Sequence, residues 1–225
     1  MVGELETDAF ETLVLAPPRP KRVVLFGVGR GGDPARHLPL LQALHADGAT
    51  VIAPSAEMFT SPRPTEAQLL ERARRLHRAL ATSSPPELPL HGVGHSIGGS
   101  MLLAMAGAEM WLGPDARVSV PPSTFATLTL LAPPLGFFQA PHAATEVRAA
   151  RASIWWGSRD TFCPRAEVDR TLDQLGPRGH LRVAEGAGHF SFMHVPPPNV
   201  LEPLEDRDAF LAMLTTSIVD DVRGA

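Results

Sequence analysis

Short apolar runs bounded by glycine, proline or polar residues recur along the chain and are the main signal of its architecture. Seven runs have the length and the Val, Ile and Leu content of buried strands: Thr12 to Leu15, Arg22 to Phe26, Thr50 to Ala53, Leu88 to Val93, Thr127 to Leu131, Ala152 to Trp156 and Leu181 to Ala184. Most are apolar throughout, which is typical of parallel strands covered by helices on both faces.

Helical patterns fall between these runs. Thr65 followed by Gln68 is a capping-box signature and predicts a helix start. Apolar residues then repeat at helical spacing at Leu69, Ala73, Leu76 and Leu80. We expect Arg72, Arg75 and Arg78 on the solvated faces, with an anion site as the weaker interpretation. Further helices are expected over Pro39 to Ala46, Ser96 to Ala106, Arg165 to Leu175 and Asp206 to Val222.

Strands that alternate with helices predict an α/β fold: a doubly wound, mostly parallel sheet of about seven strands with helices on both faces. The length of 225 residues, 44% of them hydrophobic, fits one domain over residues 1–225. The net charge of -4 provides no broad basic field for nucleic acid, so a small molecule is the expected partner.

Cysteine usage and hydropathy indicate the expected location. A single cysteine, Cys163, excludes an internal disulfide and suits a reducing cytoplasm. The acidic N-terminal sequence does not read as a secretory signal, and no apolar run approaches the length of a membrane span. We therefore expect a cytoplasmic protein without a membrane span.

The sharpest motif is Gly-His-Ser-Ile-Gly at positions 94–98, between a predicted strand and a small-residue helix. Glycines two residues before and after Ser96 allow a strained strand-to-helix turn in which strand and helix approach closely. The backbone N–H of Ile97 then lies near the helix N-terminus, where a developing negative charge is favoured. The same five-residue pattern also occurs by chance in ordinary tight turns, but this context favours a nucleophile.

Two further segments complete a resemblance. They are Gly157-Ser158-Arg159-Asp160 and Gly186-Ala187-Gly188-His189-Phe190. Together with the serine turn they resemble the signatures of the α/β-hydrolase superfamily, in its chain order Ser, Asp, His. The short chain is similar to dienelactone hydrolase-like and small carboxylesterase members that have no large cap domain.

The resemblance implies a serine esterase with Ser96 as nucleophile, His189 as general base and Asp160 as the acid that orients the histidine. Asp160 has a competing interpretation as a surface residue that caps the following helix. His194 is the nearest rival base. His95, inside the serine turn, is expected to serve packing.

The oxyanion donors are expected to be the backbone N–H groups of Ile97 and Val28. Val28 lies in Phe26-Gly27-Val28-Gly29, which resembles the family's His-Gly-x-Gly loop except that Phe26 replaces the usual histidine. Read without the resemblance, these glycines are weakly consistent with a phosphate loop.

Six apolar residues in loops near the expected triad are candidates for the substrate pocket, with a place in the core as the alternative for each: Phe137, Phe138, Phe162, Phe190, Phe192 and Met193. Phe137, Phe138 and Phe190 are the preferred binding residues. They favour a small hydrophobic ester or thioester as the substrate. No metal-ligand spacing is present, so no metal and no cofactor are expected. The alternative functions are an acyltransferase and a non-catalytic small-molecule binding module.

Overall fold

Nine strands and five helices make up the computed structural model, which describes residues 10–61, 63–85 and 87–224. The strands are β1 Thr12–Leu15, β2 Arg22–Gly27, β3 Ala49–Pro54, β4 Leu90–His95, β5 Met110–Gly113, β6 Ala116–Val118, β7 Phe125–Leu131, β8 Ala149–Gly157 and β9 Gly179–Ala184. The helices are α1 Leu38–Ala46, α2 Glu66–Ser83, α3 Ile97–Met105, α4 Arg165–Leu175 and α5 Arg207–Arg223.

Seven of the strands form one sheet in the order β1-β3-β2-β4-β7-β8-β9. Only β1 at one edge runs antiparallel to its neighbour, and the other six strands are parallel. The predicted α/β class, with a mostly parallel sheet of seven strands, is confirmed.

The sheet separates two apolar layers. In β2, Val23 and Leu25 pack into a cluster with residues of α2, α3 and α4, whereas Val24 and Phe26 pack with residues of α1 and α5. Because successive side chains of a strand point to opposite faces, a strand between two helical layers must be apolar at every position. This explains why the sequence of β2 does not alternate between apolar and polar residues.

The capping box at the start of α2 forms as predicted. The Thr65 Oγ1 accepts from the N–H of Gln68 at 3.3 Å, and the N–H of Thr65 donates to Gln68 Oε1 at 2.9 Å. Asp206 caps α5 by accepting from the N–H of Ala209 at 3.1 Å. These polar bonds satisfy N–H groups that the helices themselves leave unpaired.

A small hairpin was not predicted. Strands β5 and β6 pair antiparallel as a separate two-stranded sheet. The turn residues Pro114 and Asp115 between Met-Trp-Leu-Gly and Ala-Arg-Val are a hairpin signal, but the strands are too short for a clear period.

The six parallel strands end at the same edge of the sheet, and four of them lead into loops or turns that carry candidate catalytic or oxyanion residues. β2 ends at Gly27, β4 at His95, β8 at Gly157 and β9 at Ala184. Ligands of open α/β sheets bind outside the carboxyl ends of the strands. No helix in the described part of the chain combines the length and apolar character of a bilayer span.

The centre of the sheet contains a buried histidine. The His91 Nδ1 lies 2.8 Å from the Thr127 Oγ1 of the neighbouring strand. Burial, followed by the positive charges of Arg22 and Arg151, lowers the pKa of His91 to about 4. His91 is therefore neutral in the folded protein at neutral pH.

We expect His91 to destabilise the fold in mild acid. Its ordinary pKa is 6.5, so between this value and about pH 4 the unfolded chain binds a proton that the folded chain does not. The free energy of unfolding is thus highest above this window and falls by about 1.4 kcal/mol per pH unit as the pH decreases through it. Urea unfolding of the wild type and of His91→Asn at about pH 7 and about pH 5 measures how the free energy of unfolding changes with pH. The same change with pH in the two proteins would contradict the prediction.

Candidate active site

The serine turn connects β4 directly to α3. Ser96 has φ 54° and ψ −133°, a backbone conformation that is strained for any residue other than glycine. The turn is held by the Ser96 N–H, which donates to the Leu131 carbonyl at 2.8 Å, and by the Ser96 carbonyl, which accepts from Gly99 at 2.9 Å. Strain that the surrounding hydrogen bonds maintain is a common feature of active sites.

The turn requires a close backbone contact between α3 and the end of β2. A Cβ on Gly98 would lie 2.5 Å from the Val28 carbonyl oxygen and would also overlap the carbonyl of Gly27. A Cβ on Gly94 would lie 2.8 Å from the Gly99 nitrogen. Only glycine fits at these two positions, which is the steric reason for the spacing of the motif.

Ser96, His189 and Asp160 form one hydrogen-bonded chain. The His189 Nδ1 lies 2.9 Å from Asp160 Oδ2, and its Nε2 lies 2.9 Å from the Ser96 hydroxyl oxygen. The carboxylate can only accept, so the Nδ1–H donates to it, and the neutral Nε2 accepts from the serine hydroxyl. The three residues are 9%, 7% and 7% exposed in the order given. The structure thus brings together the residues predicted as a triad.

The second carboxylate oxygen of Asp160 is also occupied. It accepts from the backbone N–H groups of Phe162 at 2.7 Å and Cys163 at 3.2 Å. Burial alone would raise the pKa of Asp160, but the hydrogen bond and charge of His189, together with the Phe162 N–H, hold the pKa below its usual value. The competing interpretation as a helix cap is wrong, because Asp160 bonds the turn ahead of α4, and the N-cap residue is Pro164 without a side-chain cap.

Hydrogen bonds join the loop after β8, which carries Asp160, to the loop after β9, which carries His189. These are called the aspartate loop and the histidine loop. The Ser158 N–H donates to the Ala184 carbonyl at 3.0 Å, and the Arg159 N–H donates to the Ala187 carbonyl at 2.9 Å. The Gly186 N–H donates back to the Ser158 hydroxyl at 2.8 Å. These three bonds set the position of one loop relative to the other.

A column of four rings supports the histidine loop. The rings of Phe26, His37, His95 and His189 lie in that order, with successive centroids 4.9, 5.2 and 5.2 Å apart. The His95 Nε2–H donates to the His189 carbonyl at 3.0 Å. Burial, followed by the charge of His189, lowers the pKa of His95 to about 3, and burial also lowers the pKa of His37. His95 is thus neutral and holds the backbone of His189, which is more than the predicted packing role.

Of the two histidines considered as the base, His189 is the one within hydrogen-bond distance of Ser96. His194 is half-buried, and its backbone carbonyl accepts from Arg207 at 3.0 Å. Its positive charge, when protonated, lowers the pKa of His37.

Two of the candidate pocket phenylalanines contact the triad. Phe162 is 61% exposed, and its ring centroid lies 4.9 Å from that of His189. Phe190 lies edge-on to the His189 ring at 5.1 Å and to Phe162 at 5.8 Å. These rings form an apolar wall beside the imidazole.

Three of the other four candidates occupy the core. Phe138 and Phe192 are fully buried and Met193 is nearly so, which excludes them from lining an open cleft. The preference for Phe138 as a binding residue is therefore wrong, because tertiary packing places its ring among core residues. Phe137 is half-buried and packs edge-on against Phe138 at 6.4 Å.

The loop after β2 passes beside the nucleophile. A Cβ on Gly29 would lie 3.5 Å from the Cβ of Ser96 and 3.1 Å from Nδ1 of His95. Val28, one residue earlier, is buried. Ile97 is the first residue of α3, so its N–H has no intrahelical partner.

Arg72 is buried instead of solvated, which corrects the expectation for the arginine run. It is only 5% exposed, and its guanidinium binds backbone carbonyls of the loop after β2. Residue 72 is three positions after Leu69 and four before Leu76, so it shares their buried face of α2. This spacing is readable in the sequence, but the charge of the side chain argued against burial.

Asp160, Cys163 and His189 are the three metal-ligating side chains that cluster in the described residues, with ligand atoms within 4.8 Å of one another. The Cys163 thiol donates to the Ala132 carbonyl at 3.1 Å, and burial, followed by Asp160, raises its pKa. A thiolate ligand is therefore disfavoured here, and the arrangement suits proton transfer better than metal binding.

Solved esterases and a lipase share the fold. A thermophilic esterase of the planctomycete Thermogutta terrifontis with propionate bound has a TM-score of 0.62 at 16% identity, covering 98% of this chain and 90% of that chain. Thermogutta terrifontis esterase 2 phosphonylated by sarin has a TM-score of 0.64 at 15% identity, covering 98% of this chain and 91% of that chain. A monoacylglycerol lipase of Paleococcus ferrophilus has a TM-score of 0.63 at 14% identity, covering 94% of this chain and 99% of that chain.

No protein-family model and no curated protein sequence match the chain. At this level of identity the similarity establishes the fold alone, a mostly parallel α/β sheet that this chain shares with these esterases and the lipase.

The close contact at Gly98 predicts a strong asymmetry between two glycine substitutions. Gly98→Ala gains about 1 kcal/mol of helix propensity but forces a Cβ against two backbone carbonyls, at a cost of about 3 kcal/mol or more. We expect a net loss of stability in urea unfolding. Gly31→Ala, in the loop that Gly98 contacts but with no atom within 4 Å of the new Cβ, is the matched control and should change stability by about 0.5 kcal/mol or less. A Gly98→Ala protein as stable as this control would contradict the close contact.

Proposed function

We propose that the protein is a serine hydrolase that cleaves a small carboxylic ester through an acyl-enzyme on Ser96. The observation that carries this proposal is the hydrogen-bonded chain from Asp160 through His189 to Ser96 at the carboxyl edge of the sheet. A serine hydroxyl is a weak nucleophile unless an adjacent base removes its proton. His189 Nε2 lies 2.9 Å from the Ser96 hydroxyl oxygen, which is the distance that this step requires.

Each residue has a distinct role in the proposed reaction. His189 takes the hydroxyl proton as Ser96 attacks the ester carbonyl, and then returns the proton to the alcohol as the C–O bond breaks. Water activated by the same imidazole releases the acid and restores Ser96. Asp160 keeps the tautomer of His189 and stabilises the imidazolium. The chemistry uses no cofactor.

Backbone N–H groups are proposed to bind the oxyanion of the tetrahedral intermediate. Ile97 donates from the first turn of α3, where the helix dipole adds to the effect. Val28 donates from the loop after β2, which passes beside Ser96. Each such donor typically lowers the barrier by about 3 kcal/mol.

The proposed substrate is a small hydrophobic ester or thioester. The apolar wall of Phe162 and Phe190 beside His189 supports an apolar acyl or alkyl group, and Phe137 stays a more distant candidate. The segment of residues 133–148 between β7 and β8 is too short for a cap domain. A solved structure of the same fold holds propionate, and another is a monoacylglycerol lipase.

We also propose a small lidless enzyme of the dienelactone hydrolase-like kind with a cytoplasmic location. The short segment between β7 and β8 and the unpaired, buried thiol of Cys163 support these two statements. Transfer of the acyl group to an acceptor other than water would use the same residues, and product analysis distinguishes it from hydrolysis.

Ser96→Ala tests the nucleophile. We expect it to reduce the hydrolysis of short p-nitrophenyl esters by about 10⁴-fold or more while the protein stays folded. Intact mass after treatment with a fluorophosphonate should show one adduct in the wild type and none in this variant. Ser217→Ala on α5 is the control and should retain the adduct and the activity. No adduct and no turnover in the wild type would favour the non-catalytic binding module instead.

His189→Ala and His194→Ala distinguish the two candidate bases. Because His189 is the candidate base within hydrogen-bond distance of Ser96, His189→Ala should lower kcat by about 10⁴-fold, whereas His194→Ala should stay within about threefold of the wild type. Steady-state kinetics on the same ester measures both. The reverse pattern would reassign the base to His194.

A further inference from the structure

Arg72 projects from α2 under the loop that follows β2 and binds a row of backbone carbonyls. Its Nη1 donates to the carbonyls of Val28 at 3.1 Å and Gly29 at 2.9 Å. Its Nη2 donates to the carbonyls of Arg30 at 3.0 Å and Glu57 at 2.8 Å. One planar guanidinium therefore holds three consecutive residues of the loop and a residue beyond it.

The direction of these carbonyls decides the direction of the loop N–H groups. In a trans peptide the C=O and the following N–H point in opposite directions, and the described residues contain no cis peptide. With the carbonyls of Val28 and Gly29 on Arg72, the N–H groups of Gly29 and Arg30 point to the opposite side. The Val28 N–H, proposed as oxyanion donor, belongs to the preceding Gly27–Val28 peptide, so Arg72 holds the chain directly after this donor.

The arginine is a buried cation without a carboxylate partner. Among the ion pairs of the described residues, none includes Arg72, and its guanidinium carbon lies 4.1 Å from the centre of the Phe59 ring. Burial, followed by the charge of Arg75, lowers its pKa to about 10, so it stays protonated at neutral pH. A buried unpaired charge is costly, and here carbonyl dipoles and an aromatic face provide the compensation.

We propose that Arg72 is a positioning residue for the oxyanion loop: its forked guanidinium fixes the loop in the conformation that binds the transition state. This inference rests on the proposed function of Ser96. An apolar or acidic side chain at this position would leave the carbonyls unpaired, and a carboxylate would also oppose the developing oxyanion. The cation has the favourable sign for that charge.

Two substitutions distinguish the planar, forked shape of the Arg72 guanidinium from its positive charge. Arg72→Met removes both, whereas Arg72→Lys keeps the charge but replaces the planar fork with one ammonium. Arg74→Met is the matched control, because Arg74 is on the same helix, exposed and paired only with Glu71. Leu44→Ala in the core under the opposite face of the sheet is the stability control, with an expected loss of about 2 to 5 kcal/mol.

The kinetic readout is kcat and KM for a p-nitrophenyl ester, together with Ki for a trifluoromethyl ketone, whose adduct with a serine carries an oxyanion. We expect kcat to fall by about 10²-fold in Arg72→Met and about tenfold in Arg72→Lys, comparable to the loss of one oxyanion donor or less. Ki should rise by the same factor in each variant and KM should stay within about threefold. Arg74→Met and Leu44→Ala should retain kcat and Ki.

Hydrogen exchange of the amides of residues 28–31 provides a readout that does not need turnover. The exchange of these amides should become faster in Arg72→Met and in Arg72→Lys. In Leu44→Ala it should not increase more than the exchange of amides elsewhere in the chain. The inference is overturned if either Arg72 variant matches Arg74→Met in kcat, if Ki does not follow kcat, or if the loop amides exchange as in the wild type. An inactive wild type would refute the proposed function instead, and the exchange experiment would still decide whether Arg72 holds the loop.

Discussion

The site depends on one steric constraint, the backbone contact between the start of α3 and the end of β2. No side chain separates Gly98 from Gly27 and Val28. This contact allows Ser96 to sit at a turn with positive φ between strand and helix, and it brings the loop after β2 beside the nucleophile. A single methyl group at Gly98 would move either the helix or the loop, so the position of Ser96 and that of the loop after β2 are coupled through the same few atoms.

The other half of the site is set by hydrogen bonds between loops. Asp160 and His189 follow neighbouring parallel strands, and backbone bonds join their loops before either side chain is considered. His95 adds a bond from the serine turn to the carbonyl of His189. The imidazole of His189 is therefore fixed by its backbone, by the carboxylate and by the flanking rings. Such support from surrounding groups is what a proton-transfer geometry requires.

Charge is distributed unevenly around the nucleophile. The buried histidines His37 and His95 have lowered pKa values and are neutral at neutral pH, because burial penalises their cationic forms. Two fixed charges near Ser96 are the Asp160 carboxylate on the histidine side and the Arg72 guanidinium behind the loop after β2. In the proposed reaction, the negative group would stabilise an imidazolium and the positive group would favour an oxyanion.

The sequence by itself determined the α/β architecture, since apolar runs at strand length and small residues around Ser96 follow from local sterics and burial. The resemblance of three segments to the α/β-hydrolase superfamily also indicated Ser96, Asp160 and His189, each of which follows a strand end. Only the tertiary structure placed the His189 imidazole beside Ser96, placed Phe138 in the core, and buried Arg72 under the loop. These outcomes depend on which distant segments meet, and a contact between residues 72 and 28 leaves no periodic signal in either segment.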